Sequence, residues 1–178
     1  MESESFGICI CGLNGSGKTT LGIELARKLG FYPMDVENYY FDHGDLTYSN
    51  PHSREDVRAM LVADIARHPR FVLSSVSGNL GEEIECFYRL VIYLEAPWEI
   101  REERIKNRNR FRFGGRAEEG GDLYEQEQNF LRFAAGRDPK HIERWLESVP
   151  CRVLRADAML PIACLVAQIC EEIQKTTA

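Results

Sequence analysis

No stretch of this 178-residue chain approaches the ~18 apolar residues of a membrane span, so no transmembrane helix is expected. Residues 1 to 5 are mostly polar, and the brief apolar run after them reads as a strand, so no signal peptide is expected either. An excess of positive charge is also lacking. Lys and Arg number 22 against 28 Asp and Glu, and the net charge of −6 argues against a general nucleic-acid or membrane-surface binder. The six cysteines contain no Cys-x-x-Cys pair. Cys9, Cys11, Cys151, Cys164 and Cys170 fall inside apolar patterns, which predicts small buried hydrophobes in a reducing cytoplasm rather than a disulfide framework or zinc site. Internal repeats and low-complexity segments are absent. What is present, 44% hydrophobic and 28% charged residues, suits one globular domain over residues 1 to 178 with a core of its own.

The most informative stretch runs from Phe6 to Gly30. Gly12, Gly17, Lys18 and Thr19 stand at P-loop spacing, a glycine, four residues, then Gly-Lys-Thr. Each type has a physical task. Glycines at 12, 15 and 17, with Asn14 and Ser16 between them, let successive backbone N–H groups turn inward toward phosphate oxygens. Lys18 supplies a cation for the β- and γ-phosphates, the Thr19 hydroxyl is a Mg²⁺ ligand, and Thr20 follows in the first helical turn. The flanks agree. Phe6, Ile8 and Ile10 form a short apolar run suited to a central strand, and Leu21, Leu25, Ala26 and Leu29 repeat at helical spacing before Gly30. A nucleoside triphosphate is the expected ligand.

Further along, Phe31 to Met34 reads as a strand ending in Asp35-Val36-Glu37. In an open α/β sheet, ligands lie beyond the carboxyl ends of strands, where Asp35 would sit. On an extended segment Asp35 and Glu37 would point to one side, about 7 Å apart, one for Mg²⁺ or its waters and one for a substrate hydroxyl. Residues 38 to 52 are aromatic and polar without periodicity. Ser53 then caps a helix with Val57, Met60, Leu61 and Ile65 on its apolar face and Arg54 and Arg58 one turn apart, either able to meet an anionic substrate group. Strands are expected at 70 to 76, 90 to 94 and 152 to 154, and an amphipathic helix closes the chain at 162 to 173. A helix after Pro97 carries Arg101, Arg104 and Arg108 on one stripe. From Asn107 to Gly121 the periodicity lapses and Gly114, Gly115, Gly120 and Gly121 appear, which predicts a mobile basic flap. Such a flap fits phosphoryl transfer, where positive charge closes over the γ-phosphate and water is excluded. Strands alternating with helices predict a parallel sheet with right-handed crossovers.

Taken together, Gly12 to Thr19, Asp35-Val36-Glu37 and the arginine flap resemble the P-loop kinases of small metabolites and nucleoside monophosphates, notably shikimate kinases and adenylate or cytidylate kinases. That resemblance implies a three-layer α/β fold with a five-stranded parallel sheet in the order 2-3-1-4-5, a substrate-binding region at about 36 to 68 and a lid at about 108 to 122. It implies that Arg104 covers adenine, that Arg108 lines the phosphates, and that residues 156 to 161 close the adenine pocket. Asp35 and Glu37 match the acid pair of shikimate kinases, and Gly78 matches one glycine of their triplet after strand three. Adenylate kinases carry Asp-Gly-x-Pro-Arg in that place, where this chain has Ser77-Gly78-Asn79.

The expected activity is therefore an ATP- and Mg²⁺-dependent phosphotransferase for a small metabolite, nucleoside or nucleotide. Lys18 and Arg108 would neutralise the phosphoryl group, Thr19 and Asp35 serve the metal, and Arg116 or Arg137 closes from the lid side. Glu37, Asp42 and Asp45 before the substrate-side helix, with Glu118, Glu119 and Asp122 at the end of the lid, predict a neutral or cationic acceptor. The alternative is a P-loop regulatory ATPase acting through a protein or RNA partner. The lack of an aspartate after the strand at 70 to 76 counts against it.

Overall fold

The computed structural model describes residues 5–41 and 50–177. Five parallel strands, β1 (Phe6–Cys11), β2 (Tyr32–Asp35), β3 (Arg70–Ser74), β4 (Tyr88–Glu95) and β5 (Arg152–Asp157), form one sheet in the order β2-β3-β1-β4-β5. The central strand alternates two apolar sets. Cys9 and Cys11 face one layer, packed with Val57, Leu61 and Ile65 and with Ile142, Trp145 and Leu146. Ile8 and Ile10 face the other, against Leu21, Leu25 and Ala26 and against Leu165, Val166 and Ile169. A strand covered on both faces must be apolar at every position, so β1 reads as a continuous run.

The helices that supply those layers are α1 (Lys18–Leu29), α2 (Glu37–Tyr40), α3 (Arg54–Arg67), α4 (Glu82–Glu85), α5 (Trp98–Phe113), α6 (Tyr124–Ala135), α7 (Lys140–Ser148) and α8 (Ile162–Thr177). Gly30 ends α1 at φ 68, its N–H bonded to the Ala26 carbonyl. Ser53 caps α3 by accepting from the Asp56 N–H at 3.1 Å. No described helix is long and apolar enough to cross a membrane.

Two expectations need correction. The helix after Pro97 does not dissolve at Asn107. It continues to Phe113 and passes into a 3₁₀ turn, Gly114–Ala117. Its outer faces carry almost nothing but charge, so the apolar period vanishes from the sequence while Arg, Lys and Glu still favour helix. Arg101, Ile105 and Asn109 are the residues it turns inward. The segment after it is folded upon itself: the Leu123 N–H donates to the Arg116 carbonyl at 2.9 Å. Among the cysteines, Cys9 and Cys11 are buried and Cys151 and Cys170 half-buried, whereas Cys164 and Cys86 are exposed; all six are free thiols.

Candidate active site

The loop between β1 and α1 is held open from below. A Cβ on Gly12 would stand 2.4 Å from the Leu94 carbonyl oxygen, so this glycine seats the loop against β4 rather than lining a cavity. Gly15 has φ 82, and a Cβ there would meet the Arg101 carbonyl oxygen at 2.5 Å. Only glycine permits both that conformation and that approach. Arg101 itself is buried, its guanidinium donating to the Asn14 carbonyl at 3.1 Å and the Ala96 carbonyl at 3.2 Å. Gly17, at φ 99, is the N-cap of α1 and brings no side-chain cap, so the first N–H groups of the helix are left for an anion. The Ser16 hydroxyl is buried without a partner among the described residues. A buried unpaired hydroxyl is costly, so this cradle holds unused hydrogen-bonding capacity of the kind a phosphate takes up.

Lys18 and Thr19 leave this loop on the first turn of α1. The Lys18 ammonium donates to the Leu13 carbonyl at 3.2 Å. Burial pushes its pKa down to about 8, against the opposing pull of Asp35 and Glu37. The Thr19 hydroxyl donates to Asp35 Oδ2 at 2.6 Å, joining the two residues singled out for the metal. This pair of hard oxygen donors beside a phosphate cradle fits Mg²⁺, which takes few protein ligands and completes its shell with water and phosphate. Asp35 Oδ1 accepts from the Glu37 N–H at 3.1 Å, and Val36 already has helical dihedrals. The two carboxylates are therefore not an extended i, i+2 pair. Instead the chain turns at Asp35 into α2, and both line the same cavity. Across the sheet, Asp35 pairs with Ser74, whose hydroxyl donates to the Lys18 carbonyl at 3.1 Å. The carboxyl edge of β3 thus offers serines, Ser74 and Ser75, in place of an acid.

The cavity spans about 1380 Å³ and runs across the P-loop from the turn after β5 to α3. At the first end Arg104 donates to the Ser16 carbonyl at 2.9 Å and the Ala158 carbonyl at 2.8 Å, tying the P-loop to residues 158 to 161, which line the same end. Toward α3 the lining includes Glu37, Arg54 and Arg58 with the apolar Val57, Leu61 and Leu80, and Arg137 joins the wall from the segment before α7. Arg137 donates to Asn14 Oδ1 at 3.0 Å, and Arg58 lies 3.7 Å from Glu83. Arg108 lines the middle. Of the residues expected here, Asn14 through Thr20, Asp35, Glu37, Arg54, Arg58, Arg104, Arg108 and Arg137 come together.

Two do not. Arg116 is outside the cavity, its guanidinium bonded to both oxygens of Asp122 at 3.0 and 2.8 Å. Gly78 is packed away from it: a Cβ there would stand 2.3 Å from the Trp145 ring, and its carbonyl accepts from the Tyr88 hydroxyl at 3.2 Å. Glu118 lies beside Arg110, 3.6 Å away, and Glu119 is exposed, so the acids at the end of the lid do not line the cavity. Asp42 and Asp45 lie outside the described residues. Sequence reasoning missed Arg112 and His141, both of which line the cavity. Arg112 was legible as the next step of the 104, 108 spacing once the helix is known to continue. His141 carried no signal.

A family model described as AAA_18, an AAA domain, matches residues 8–119. The chain belongs to this AAA-domain family. Its match spans the P-loop, Asp35, all of α5 and the turn after it. The AAA-domain chain is also 28% identical over 158 residues to the uncharacterized protein YqaC of Bacillus subtilis (strain 168), with 84% of this chain and 87% of that protein covered. Among solved structures, a gluconokinase from Sinorhizobium meliloti 1021 superimposes with a TM-score of 0.55 at 16% identity, covering 99% of this chain and 100% of that one. A shikimate kinase from Acinetobacter baumannii in complex with shikimate gives 0.55 at 18% identity, covering 98% and 96%. At such identities the likeness is one of fold. This AAA domain has the three-layer fold of P-loop small-molecule kinases.

Proposed function

We propose that this protein is an ATP- and Mg²⁺-dependent kinase whose acceptor is a small molecule bearing an anionic group. The observation that carries the reading is the Thr19–Asp35 hydrogen bond of 2.6 Å, set where the phosphate cradle meets the half of the cavity under α3. Thr19 and Asp35 would hold Mg²⁺, which when bound neutralises charge on the β- and γ-phosphate oxygens. Lys18 and the N–H groups of the P-loop and α1 bind the phosphates, and Arg104 orders the loop that closes the nucleoside end. Asp35 faces the acceptor half as well, where it can orient an attacking hydroxyl or phosphate oxygen. Alignment and charge neutralisation account for most of catalysis in such transfers. Acceptor charge is read from the cavity wall: Arg54, Arg58 and Arg137 stand there against Asp35 and Glu37. With the lid acids turned away, Glu118, Glu119 and Asp122 no longer argue for a neutral or cationic acceptor, and Glu37 is the described acid of that set in the cavity wall.

A regulatory ATPase working through a partner is the second reading, favoured by the AAA-domain description of the family. Against it stands the serine pair at the end of β3, where an ATPase of that kind would hold its metal water with an acid. Rates of ADP release across a panel of sugars, nucleosides and their monophosphates separate the two. We expect release that depends on an anionic acceptor, and a fall of about 10²–10³ in kcat for Asp35→Asn with nucleotide affinity within a few fold. Arg54→Ala or Arg58→Ala should remove the preference for the anion. Acceptor-independent hydrolysis in wild type, unchanged across the panel, would establish the ATPase.

A further inference from the structure

Arg104, Arg108 and Arg112 follow one another at intervals of four on α5, and all three line the cavity. At 1.5 Å per residue the ladder reaches about 12 Å from the base of the P-loop toward the acceptor half. Arg104 is fixed by two backbone carbonyls. Arg108 is met from behind, and Arg112 follows it one turn further on the same helix. Asn109 is only 6% exposed, on a stretch of helix that is otherwise mostly solvated. Its Oδ1 accepts from Arg108 Nε at 3.4 Å, and its Nδ2 donates to the Glu127 carboxylate on α6. Glu127 lies one turn from Leu131, whose cluster with Ile105 and Ala134 is the small apolar seam between the two helices. Burial raises the Glu127 carboxyl above its usual range, while Arg108, Asn109 and Arg112 pull the other way.

A buried amide bonded to a half-buried carboxylate is a poor choice for the stability of a helix seam, since apolar residues of similar size would pack there at lower desolvation cost. What a satisfied polar pair adds is direction. The Nε contact biases the guanidinium of Arg108 toward one orientation and leaves its two terminal nitrogens as the fork that meets a phosphate bidentately. We propose that Asn109 and Glu127 are positioning residues that aim Arg108, and with it the Arg112 end of α5, at the terminal phosphate of the nucleotide. The arginine arm of the site is thereby set from α6 rather than by closure of the turn at 114 to 121. The proposal deepens the kinase reading but tests a phosphate contact that an ATPase would share.

The experiment is therefore one of binding. Calorimetry compares a non-hydrolysable ATP analogue with ADP in wild type, Arg108→Ala, Glu127→Ala, Glu127→Gln and the Arg108→Ala/Glu127→Ala double variant, with Tm recorded for each. Wild type should prefer the triphosphate. Arg108→Ala and Glu127→Ala should each reduce that preference about tenfold, the scale of one charge-assisted hydrogen bond. The double variant should lose no more than Arg108→Ala alone. Glu127→Gln, which keeps an oxygen for the Asn109 amide, should stay near wild type. Should Glu127→Ala melt too early to titrate, Asn109→Ala carries the same comparison. Effects that add in the double variant, or a Glu127→Ala protein with lowered Tm and an unchanged triphosphate preference, would reduce the pair to a structural tie. A wild type that binds with this preference yet transfers to no acceptor would end the kinase reading and leave the positioning result standing.

Discussion

Lys18 enters the cavity at the end of a buried stem, and its charge is held less firmly than that of a free lysine, with a pKa lowered to about 8. A polyphosphate beside it favours the ammonium and raises that pKa, so binding above pH 8 draws a proton from solvent. The sign follows. Affinity for nucleotide is steady below about pH 8, where Lys18 is already charged, and weakens by up to about tenfold per pH unit above it. Calorimetry of the ATP analogue from about pH 7 to about pH 10 in two buffers of different ionisation heat measures both the slope and the proton. Lys18→Met should flatten the slope, and its loss of pre-aligned charge should lower transfer by about 10²–10³. A wild-type profile that stays flat across that whole range would mean that phosphate binding is not coupled to the Lys18 proton.

Helix α5 does two jobs with one face, since Arg101 supports the P-loop while Arg104, Arg108 and Arg112 line the cavity beside it. The contact is close enough to be tested through Gly15. Alanine there would need φ 82 and would place its Cβ 2.5 Å from the Arg101 carbonyl oxygen. We expect Gly15→Ala to cost about 1–3 kcal/mol in a denaturant titration and to weaken nucleotide binding, because the loop must move off α5. Equal stability would show that the loop relaxes freely. Elements of this kind explain what could and could not be read in advance. The β1–loop–α1 unit was legible because a strand buried on both faces, a phosphate cradle and an amphipathic helix each leave a local pattern. Ser53 announced α3 in the same way. The second half of α5 left none, since a helix with little apolar surface to bury shows no period. The pairing of Arg116 with Asp122 was equally invisible: six residues apart in sequence, they are matched by a turn whose path no spacing rule specifies. His141 and Gly78 were settled by packing between distant elements, and that information is not local.

Helix α7 links the two halves of the cavity across the molecule. It follows Arg137, which holds Asn14 of the P-loop at 3.0 Å, and it carries His141 in the cavity wall. One turn further, Trp145 Nε1 donates to Glu85 at 2.9 Å, and the other oxygen of Glu85 accepts the Gly81 N–H at 3.1 Å. The Trp145 ring also covers Gly78, so the loop whose Ser77, Asn79 and Leu80 line the acceptor end is braced on α7. Glu143 anchors the same helix to the sheet through Arg155 of β5, which reaches Glu95 of β4 at 3.2 Å. The loop at 77 to 80 and the P-loop thus both touch the segment from Arg137 to Trp145. Trp145→Phe tests this link, because it keeps an aromatic ring in the core while deleting the N–H and withdrawing the ring edge that covers Gly78. Glu85 then lacks a buried partner, which should lower stability by about 1–3 kcal/mol. If the brace sets the acceptor loop, the KM for the acceptor should rise several-fold while affinity for the ATP analogue stays within about twofold and kcat at saturation is kept. A Trp145→Phe protein with the lowered stability and an unaltered acceptor KM would show that α7 holds the fold together without setting the acceptor loop.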